Sequence, residues 1–473
     1  MLKKLGTKNP KLNLPPGPRK LPFIGNLHLF AGQSGFSIPF CVSRDPPHII
    51  LRNLAKKYGP IMHLRLGEVD NIIVTSPEIT KQFLKTHDIV FANRPSLLAT
   101  EIDGYGNTDI AFSPYGEYWR QMRKIAPLRE GSQINLTEKL STTNNDIMAR
   151  AAFGKKSDEK ATFIDFAKEF LKFTTVFHIV DVYPSIKFFH PVVNMTKRRI
   201  EKLHQELDRI IGNIIQERKR AYVARTNEGD KKHDQDLLDV LLKVQGSGSF
   251  QLPFTTHNVK SVLLDMFSAG TETSAIVVEW AMVEMLKNPT ILNKAQDEVR
   301  QVFDGKRRVD ESYFDELKYL KLVIKETLRL HPPTPIVLRE SREPCTINGY
   351  EIPSRTRVLV NIWAIGRDPE YWDDAESFKP ERFDLEKYSV DFRGNRFEYI
   401  PFGAGKRICP GMSFGLANVE LPLAMFLYHF DWILADGMKP EDLEMTEISD
   451  GAAIRRNQDL CVIPVVRRPL FAT

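Results

Sequence analysis

From about Val259 to Lys287 the chain presents apolar side chains around almost the whole circumference of a helix, a pattern that suits only the interior of a large body. Glu279 and Glu284 interrupt its most apolar stretch, Ile276 to Leu286, so nowhere do about 18 mostly apolar residues run together as a bilayer crossing requires. Other elements must therefore enclose this helix, and a central helix is a place for chemistry. At about 150 residues per domain, 473 residues would make about three domains or one large one. No repeat and no linker beyond residue 20 divides the chain. The expected division is a trimmed leader and proline-rich hinge over residues 1–20 and a single domain over residues 21–473.

With 42% hydrophobic and 27% charged residues, disorder, collagen and coiled coil are excluded. A net charge of +6, from 66 Lys and Arg against 60 Asp and Glu, is too mild to argue for nucleic acid, though it leaves room for local basic patches. Four cysteines, Cys41, Cys345, Cys409 and Cys461, form no CxxC pair and are too few for a disulfide scaffold, which points to a reducing compartment. The opening MLKKLGTKNPKLN lacks the apolar core of a signal peptide or anchor. The prolines from Leu14 to Gly25 fix φ and make a stiff segment that suits a spacer between two bodies.

Between Ile61 and Thr75 apolar and polar residues alternate around Gly67-Glu68, which predicts two strands and a turn. Ile200, Leu203, Leu207, Ile210, Ile211 and Ile214 recur at helical spacing and predict a long amphipathic helix, followed by a charged loop over Thr226 to Asp236. The segment GYEIPSRTRVLVNIWAIG from Gly349 reads as strand.

Phe402-Gly403-Ala404-Gly405-Lys406-Arg407-Ile408-Cys409-Pro410-Gly411 is the most informative segment. Glycines on both sides of a cysteine let the backbone approach a flat ligand and aim amide N–H groups at the sulfur. Those donors and Arg407 favour a thiolate, the form a haem iron takes as an electron-donating axial ligand. A single cysteine is by itself more often a small buried hydrophobe.

The segment resembles the cysteine-loop signature of the cytochrome P-450 family, the haem-thiolate monooxygenases. Glu326-Thr327-Leu328-Arg329 is similar to that family's ExxR helix, and Pro380-Glu381-Arg382-Phe383 to its PERF element. The resemblance implies a buried structural triad of Glu326, Arg329 and Arg382. Ala269-Gly270-Thr271-Glu272-Thr273 in the central helix resembles the oxygen-activation motif. A helix-interior Gly costs about 1 kcal/mol, and a Thr hydroxyl competes for the carbonyl one turn back, so this stretch is expected to open locally. Glu272 and Thr273 are then expected to deliver the protons that O–O cleavage needs.

Trp119 and Arg123 fit the WxxxR pattern, and with Arg339 and Arg407 are implied to contact the haem propionates. Phe402, Gly405 and Gly411 are implied to line the haem, with Cys409 as iron ligand. Lys406 is expected on a docking face for the electron donor. By position, Ile110, Phe112, Phe177, Ala269, Thr334, Ile336, Val337 and Ala453 are expected to form an apolar substrate cavity. Ile186, Phe188 and Phe189 are expected to touch the bilayer.

The resemblance extends over nearly the whole chain and is nearest to the plant microsomal group, with GTETS, HPPTP and FGLANVELPLA pointing to its terpenoid-hydroxylating branch. It implies a mainly α fold, a large helical lobe around the long central helix and a smaller β-rich lobe. The expected cofactors are haem b, O2, and electrons from NADPH through a flavoprotein reductase. The expected partners are an NADPH-cytochrome reductase, cytochrome b5 as a further donor, a small lipophilic substrate and the cytosolic face of the endoplasmic reticulum membrane. A monomer that binds no nucleic acid is expected. The expected reaction hydroxylates a sesquiterpene or diterpene; the alternatives are a phenylpropanoid or other aromatic hydroxylase, or a haem-thiolate isomerase or dehydratase that needs no O2. A haem-based sensor or carrier would lack the Glu272–Thr273 pair. Only Lys124 to Gln133 separates the WxxxR helix from INLTEKL, where the family carries a longer helical stretch, and omission of a segment is expected there rather than true loss of a core-facing helix.

Overall fold

In this computed structural model the residues described are 13–22, 24–30, 46–88, 90–91, 136–153, 166, 169, 190–228, 236–248, 253–306, 309–384, 390–450 and 453–468. The helices among them are α1 (Pro47–Tyr58), α2 (Pro77–Lys81), α3 (Leu136–Phe153), α4 (His190–Glu228), α5 (Leu237–Ser247), α6 (Thr256–Lys287), α7 (Pro289–Val302), α8 (Lys318–Leu330), α9 (Ile362–Ile365) and α10 (Met412–His429). The strands are β1 (Ile61–Leu66), β2 (Val69–Val74), β3 (Ile336–Glu340), β4 (Cys345–Ile347), β5 (Tyr350–Ile352), β6 (Arg357–Asn361), β7 (Phe430–Leu434), β8 (Glu447–Asp450), β9 (Ala453–Arg456) and β10 (Val462–Val466).

The helix expected at the centre is α6, about 48 Å long at 1.5 Å per residue. Asn258 Oδ1 accepts from the Thr255 amide at 2.7 Å and closes its first turn. Pro289 ends it, since the residue before a proline disfavours helical φ and ψ, and that same proline suits the first turn of α7. Contrary to the expectation from Glu279 and Glu284, α6 does contain a stretch long and apolar enough to cross a membrane by length and composition, yet from Ser274 to Leu286 every side chain is buried in the fold. Its C-terminal half packs in one apolar cluster with α7, α8 and α10, and its N-terminal half in a second with α3, α4 and α5.

The expected hairpin forms, with Ile61 paired to Val74 and Leu66 to Val69. It joins a four-stranded sheet in the order β1-β2-β6-β3, in which β2 and β6 run parallel. The strand expected from Gly349 onward divides into β5 and β6, and its IWAI end is the helical turn α9, because the Asn361 side chain accepts from the Ala364 amide at 3.0 Å and caps a helix start there.

A buried polar cluster ties α1, α6, α8 and β8 together. His48 Nε2 lies 2.8 Å from Glu447 Oε2, His331 Nδ1 lies 3.3 Å from Glu447 Oε1, and His331 Nε2 lies 2.8 Å from Glu284 Oε1. The His331 ring stacks on Trp280 of α6, centroids 3.8 Å apart. Burial pushes the His48 imidazole below its ordinary value against the opposing pull of Glu447. Burial would raise the Glu447 carboxyl, but hydrogen bonds and charge from His331 and His48 overcome it and hold it far below the usual carboxylate range. Both folded values are depressed, so both contributions are present at neutral pH and are lost on acidification, that of His48 first, below about pH 6.5. The unfolding free energy is expected to fall through His48 as the pH drops from about 7.5 to about 5.5. Urea unfolding of the wild type and His48→Gln at both pH values checks this; an equal slope in the two proteins refutes it.

Candidate active site

The cysteine segment folds back on itself immediately before α10. The Cys409 amide donates to the Phe402 carbonyl at 2.9 Å, and the Ile408 amide to the Gly405 carbonyl at 3.0 Å. Gly403 and Gly405 hold φ at +72° and +70°, where a side chain is strained. Gly405 is needed for space as well, since a Cβ there would stand 2.1 Å from the Leu84 carbonyl oxygen. The Asp88 carboxylate accepts from the Lys406 amide at 3.0 and 3.2 Å and pins the loop from the other side. Cys409 stays half-buried.

Two guanidinium groups lie beside this loop, and neither is on the surface: Arg339 is 1% and Arg407 6% exposed. Arg339 reaches the loop at the Ala404 carbonyl, 3.5 Å away, while its other terminal nitrogen donates to the Leu338 carbonyl at 2.8 Å. Gly403 is buried too, yet a Cβ built on it meets nothing within 4 Å, so open volume adjoins the loop's backbone.

Opposite the loop, α6 and α10 meet where Ser274 Oγ would lie 3.8 Å from a Cβ at Gly415. On the N-terminal side of this crossing α6 stops being buried, and so does the first part of α10. Ala269, Gly270, Glu272 and Thr273 of α6, and Met412 to Ala417 of α10, are accessible or half-buried although mostly apolar. Two apolar helix faces left uncovered beside a cysteine and two buried arginines make a slot for a flat, largely apolar group with an anionic edge and a thiolate-seeking atom, and haem has that chemistry.

Within that slot the Thr273 hydroxyl donates to the Ala269 carbonyl at 2.6 Å. The local opening expected of this stretch is not present: α6 runs unbroken from Thr256 to Lys287. The competition between hydroxyl and backbone is real, but it adds a bond to the carbonyl without breaking the helix. Gly270 has a packing reason, since a Cβ there would stand 2.7 Å from Met148 Sδ of α3.

Behind the slot, Glu326, Arg329 and Arg382 are joined. Arg329 Nε and its terminal nitrogen donate to the two Glu326 oxygens at 2.8 Å each, and Arg382 Nε donates to Glu326 Oε1 at 2.9 Å. The guanidinium donors left over go to the carbonyls of Gly366, Ala375 and Ser377 from Arg329, and of Asp373, Asp374 and Ser377 from Arg382. All three side chains are buried.

The structure gathers only some of the expected pocket residues. The Ile454 amide donates to the Pro333 carbonyl at 2.8 Å, which brings Ala453 on β9 close to Thr334, and β9 packs on α6. Along β3 the faces alternate. Val337 and Arg339 take the side that holds Ala404, whereas Ile336 packs on the opposite side, against the α1 layer. Ile336 therefore packs half-buried on the far side of the sheet, and Val337 is buried among the sheet's own side chains. Trp119, Arg123, Ile110, Phe112, Phe177, Ile186, Phe188 and Phe189 lie outside the described residues. Sequence reasoning missed Asp88 and Asn144, the latter donating from α3 to the Thr271 carbonyl at 3.2 Å.

A sequence model of the family described as Cytochrome P450 matches residues 15–129 and 126–462. The chain is 49% identical to premnaspirodiene oxygenase of Hyoscyamus muticus, over 96% of this chain and 93% of the relative. It is 47% identical to desmethyl-deoxy-podophyllotoxin synthase of Sinopodophyllum hexandrum, over 98% and 94%. The first alignment runs to 486 positions while covering 96% of this chain, so about 30 positions of the relative have no counterpart here. The two family matches overlap at residues 126–129, within the stretch from Lys124 to Gln133 in which an omitted segment is expected. Among solved structures, a zebra fish cytochrome P450 with progesterone superposes with a TM-score of 0.73, covering 89% of this chain and 100% of that one at 24% identity. Matches of this extent settle what a cysteine loop, buried arginines and an acid–alcohol pair in a core helix suggest separately: the chain belongs to the cytochrome P450 family and is a haem-thiolate monooxygenase.

Proposed function

We propose that this enzyme hydroxylates a lipophilic plant terpenoid, a sesquiterpene or diterpene, with electrons delivered from NADPH by a flavoprotein reductase. The observation that carries the reading is the uncovered stretch of α6 at Ala269 and Gly270, one turn from Thr273. A cavity walled this way holds its ligand by shape and apolar contact rather than by charge. The relative named premnaspirodiene oxygenase supports a terpenoid substrate. A second reading, an aromatic substrate, has the support of the relative named desmethyl-deoxy-podophyllotoxin synthase.

In this reading Cys409 would ligate the haem iron and Arg339 and Arg407 would hold its propionates, a role the WxxxR pattern extends to Trp119 and Arg123. Haem bound there supplies the site at which O2 is reduced and one oxygen atom is passed to a C–H bond. The chain's own work is to exclude water from the slot with its apolar helix faces and to move protons through Glu272 and Thr273. Leu21 and Ile24 are exposed large apolar side chains beside the proline-rich segment and support contact with the endoplasmic reticulum membrane.

Titrating the oxidised haem protein with premnaspirodiene, other terpene hydrocarbons and alcohols, and a panel of phenolic compounds tests the substrate class. A saturable low-spin to high-spin shift with an isoprenoid is expected. A shift only with phenolics would replace the terpenoid reading by the aromatic one.

A further inference from the structure

α3 lies antiparallel along α6 and meets it through a polar seam. Thr137 Oγ1 donates to Glu279 at 2.8 Å, and seven residues further along α3 Asn144 Nδ2 donates to the Thr271 carbonyl, eight residues back on α6. One turn beyond Asn144, Met148 fills the space that a side chain at Gly270 would take. Asn144, Thr271 and Met148 are all at least 96% buried, so no water competes for this bond.

A carbonyl oxygen has two lone pairs, and in an unbroken helix one already serves the amide four residues on. The Asn144 amide takes the second lone pair at Thr271, and the Thr273 hydroxyl does the same at Ala269. Two carbonyls within three residues thus share their acceptance with side chains, which weakens the intrahelical bonds they receive and tilts them outward. The turn that carries Glu272 and Thr273 is held from outside the helix at its only buried residue, Thr271.

We propose that Asn144 is a positioning residue for proton delivery: its bond to the Thr271 carbonyl fixes the Ala269–Thr273 turn of α6 in the shape from which Glu272 and Thr273 act. Asn144 touches neither substrate nor the reacting atoms. The proposal rests on the assignment of proton delivery to Glu272 and Thr273, and the test separates the two.

Asn144→Leu, of similar size, removes the donor without adding a charge, and Asn144→Ala removes it with no steric demand. The holoenzyme of each is turned over with reductase, NADPH and premnaspirodiene as probe, beside Thr273→Ala. The expected result is a several-fold rise in peroxide released per NADPH consumed, with spectral affinity for the probe within about twofold of wild type. Hydrogen exchange of the holoenzyme gives a readout independent of turnover: the Ala275 amide, which the Thr271 carbonyl serves, should exchange several-fold more slowly in both Asn144 variants, because that carbonyl returns wholly to the helix. A merely structural asparagine would instead speed exchange along the whole of α3 and α6. Wild-type coupling and exchange in both Asn144 variants, with Thr273→Ala uncoupled, overturns the proposal alone. Full coupling in Thr273→Ala overturns the proton-delivery assignment beneath it.

Discussion

Replacing Glu326 by Gln is expected to cost about 3–5 kcal/mol of folding free energy, the usual result of breaking a buried ion pair from one side. Glu326 holds two guanidinium groups and the Lys379 amide, 2.8 Å from Oε1, within a water-free interior. Gln has nearly the same shape, but its NH2 would face a donor where a carboxylate oxygen stood, and the charge on Arg329 and Arg382 would lose its counterion. Those arginines also satisfy carbonyls from Gly366 to Ser377, so the segment leading from α9 to the Pro380–Asp384 turn loosens with them. Against a total stability of about 5–15 kcal/mol, the loss is large enough to deplete folded protein at growth temperature. Urea unfolding and the yield of the thiolate-type band in the reduced CO complex measure it. An unchanged midpoint and yield would show that the triad is not what holds this part of the fold.

Much of this arrangement is legible in the sequence because strong local rules fix it. The alternation around Gly67-Glu68 gives the hairpin, and the all-round apolar pattern gives α6 its central place. What was not legible depends on distant partners. Residue numbers say nothing of the parallel pairing of β2 with β6, which closes the sheet across a separation filled by most of the helices. Position after the ExxR helix nominated both Ile336 and Val337 for the pocket, but β3 pleats, so adjacent residues part to opposite faces. Gly270 read as a point of weakness in a helix; its function is the close approach of Met148, a residue on another element. Asn144 sits in a Thr-Thr-Asn-Asn run that looks like a solvated helix face, and only the docking of α3 on α6 turns that run inward.

Thr273→Ala is expected to separate electron consumption from product formation. The hydroxyl lies at the accessible face of α6, one turn from Ala269, and donates to that residue's carbonyl at 2.6 Å. Acting as a proton donor toward the slot requires it to turn away from Ala269, at a cost of about 1 kcal/mol for one intramolecular hydrogen bond. Glu272 precedes it on the same turn, half-buried, where a carboxyl can exchange protons with solvent and pass them inward. Positioned proton transfer of this kind is worth about 10²–10⁴ in rate. Without the hydroxyl, ordered delivery fails while electrons still arrive. Oxygen reduced by two electrons then leaves with two protons as hydrogen peroxide, and NADPH oxidation continues at a rate within a few fold of wild type. Product per NADPH is expected to fall about tenfold or more, with peroxide making up the difference. Stopped-time assays of NADPH, peroxide and hydroxylated product on one sample check the balance. Thr273→Ser should restore most of the coupling, since it returns a hydroxyl to the same turn with only a methyl group missing. A Thr273→Ala enzyme with wild-type coupling would mean that protons reach the oxygen by a route that does not pass Thr273, and the slot would then have to be credited with an ordered water chain leading from Glu272.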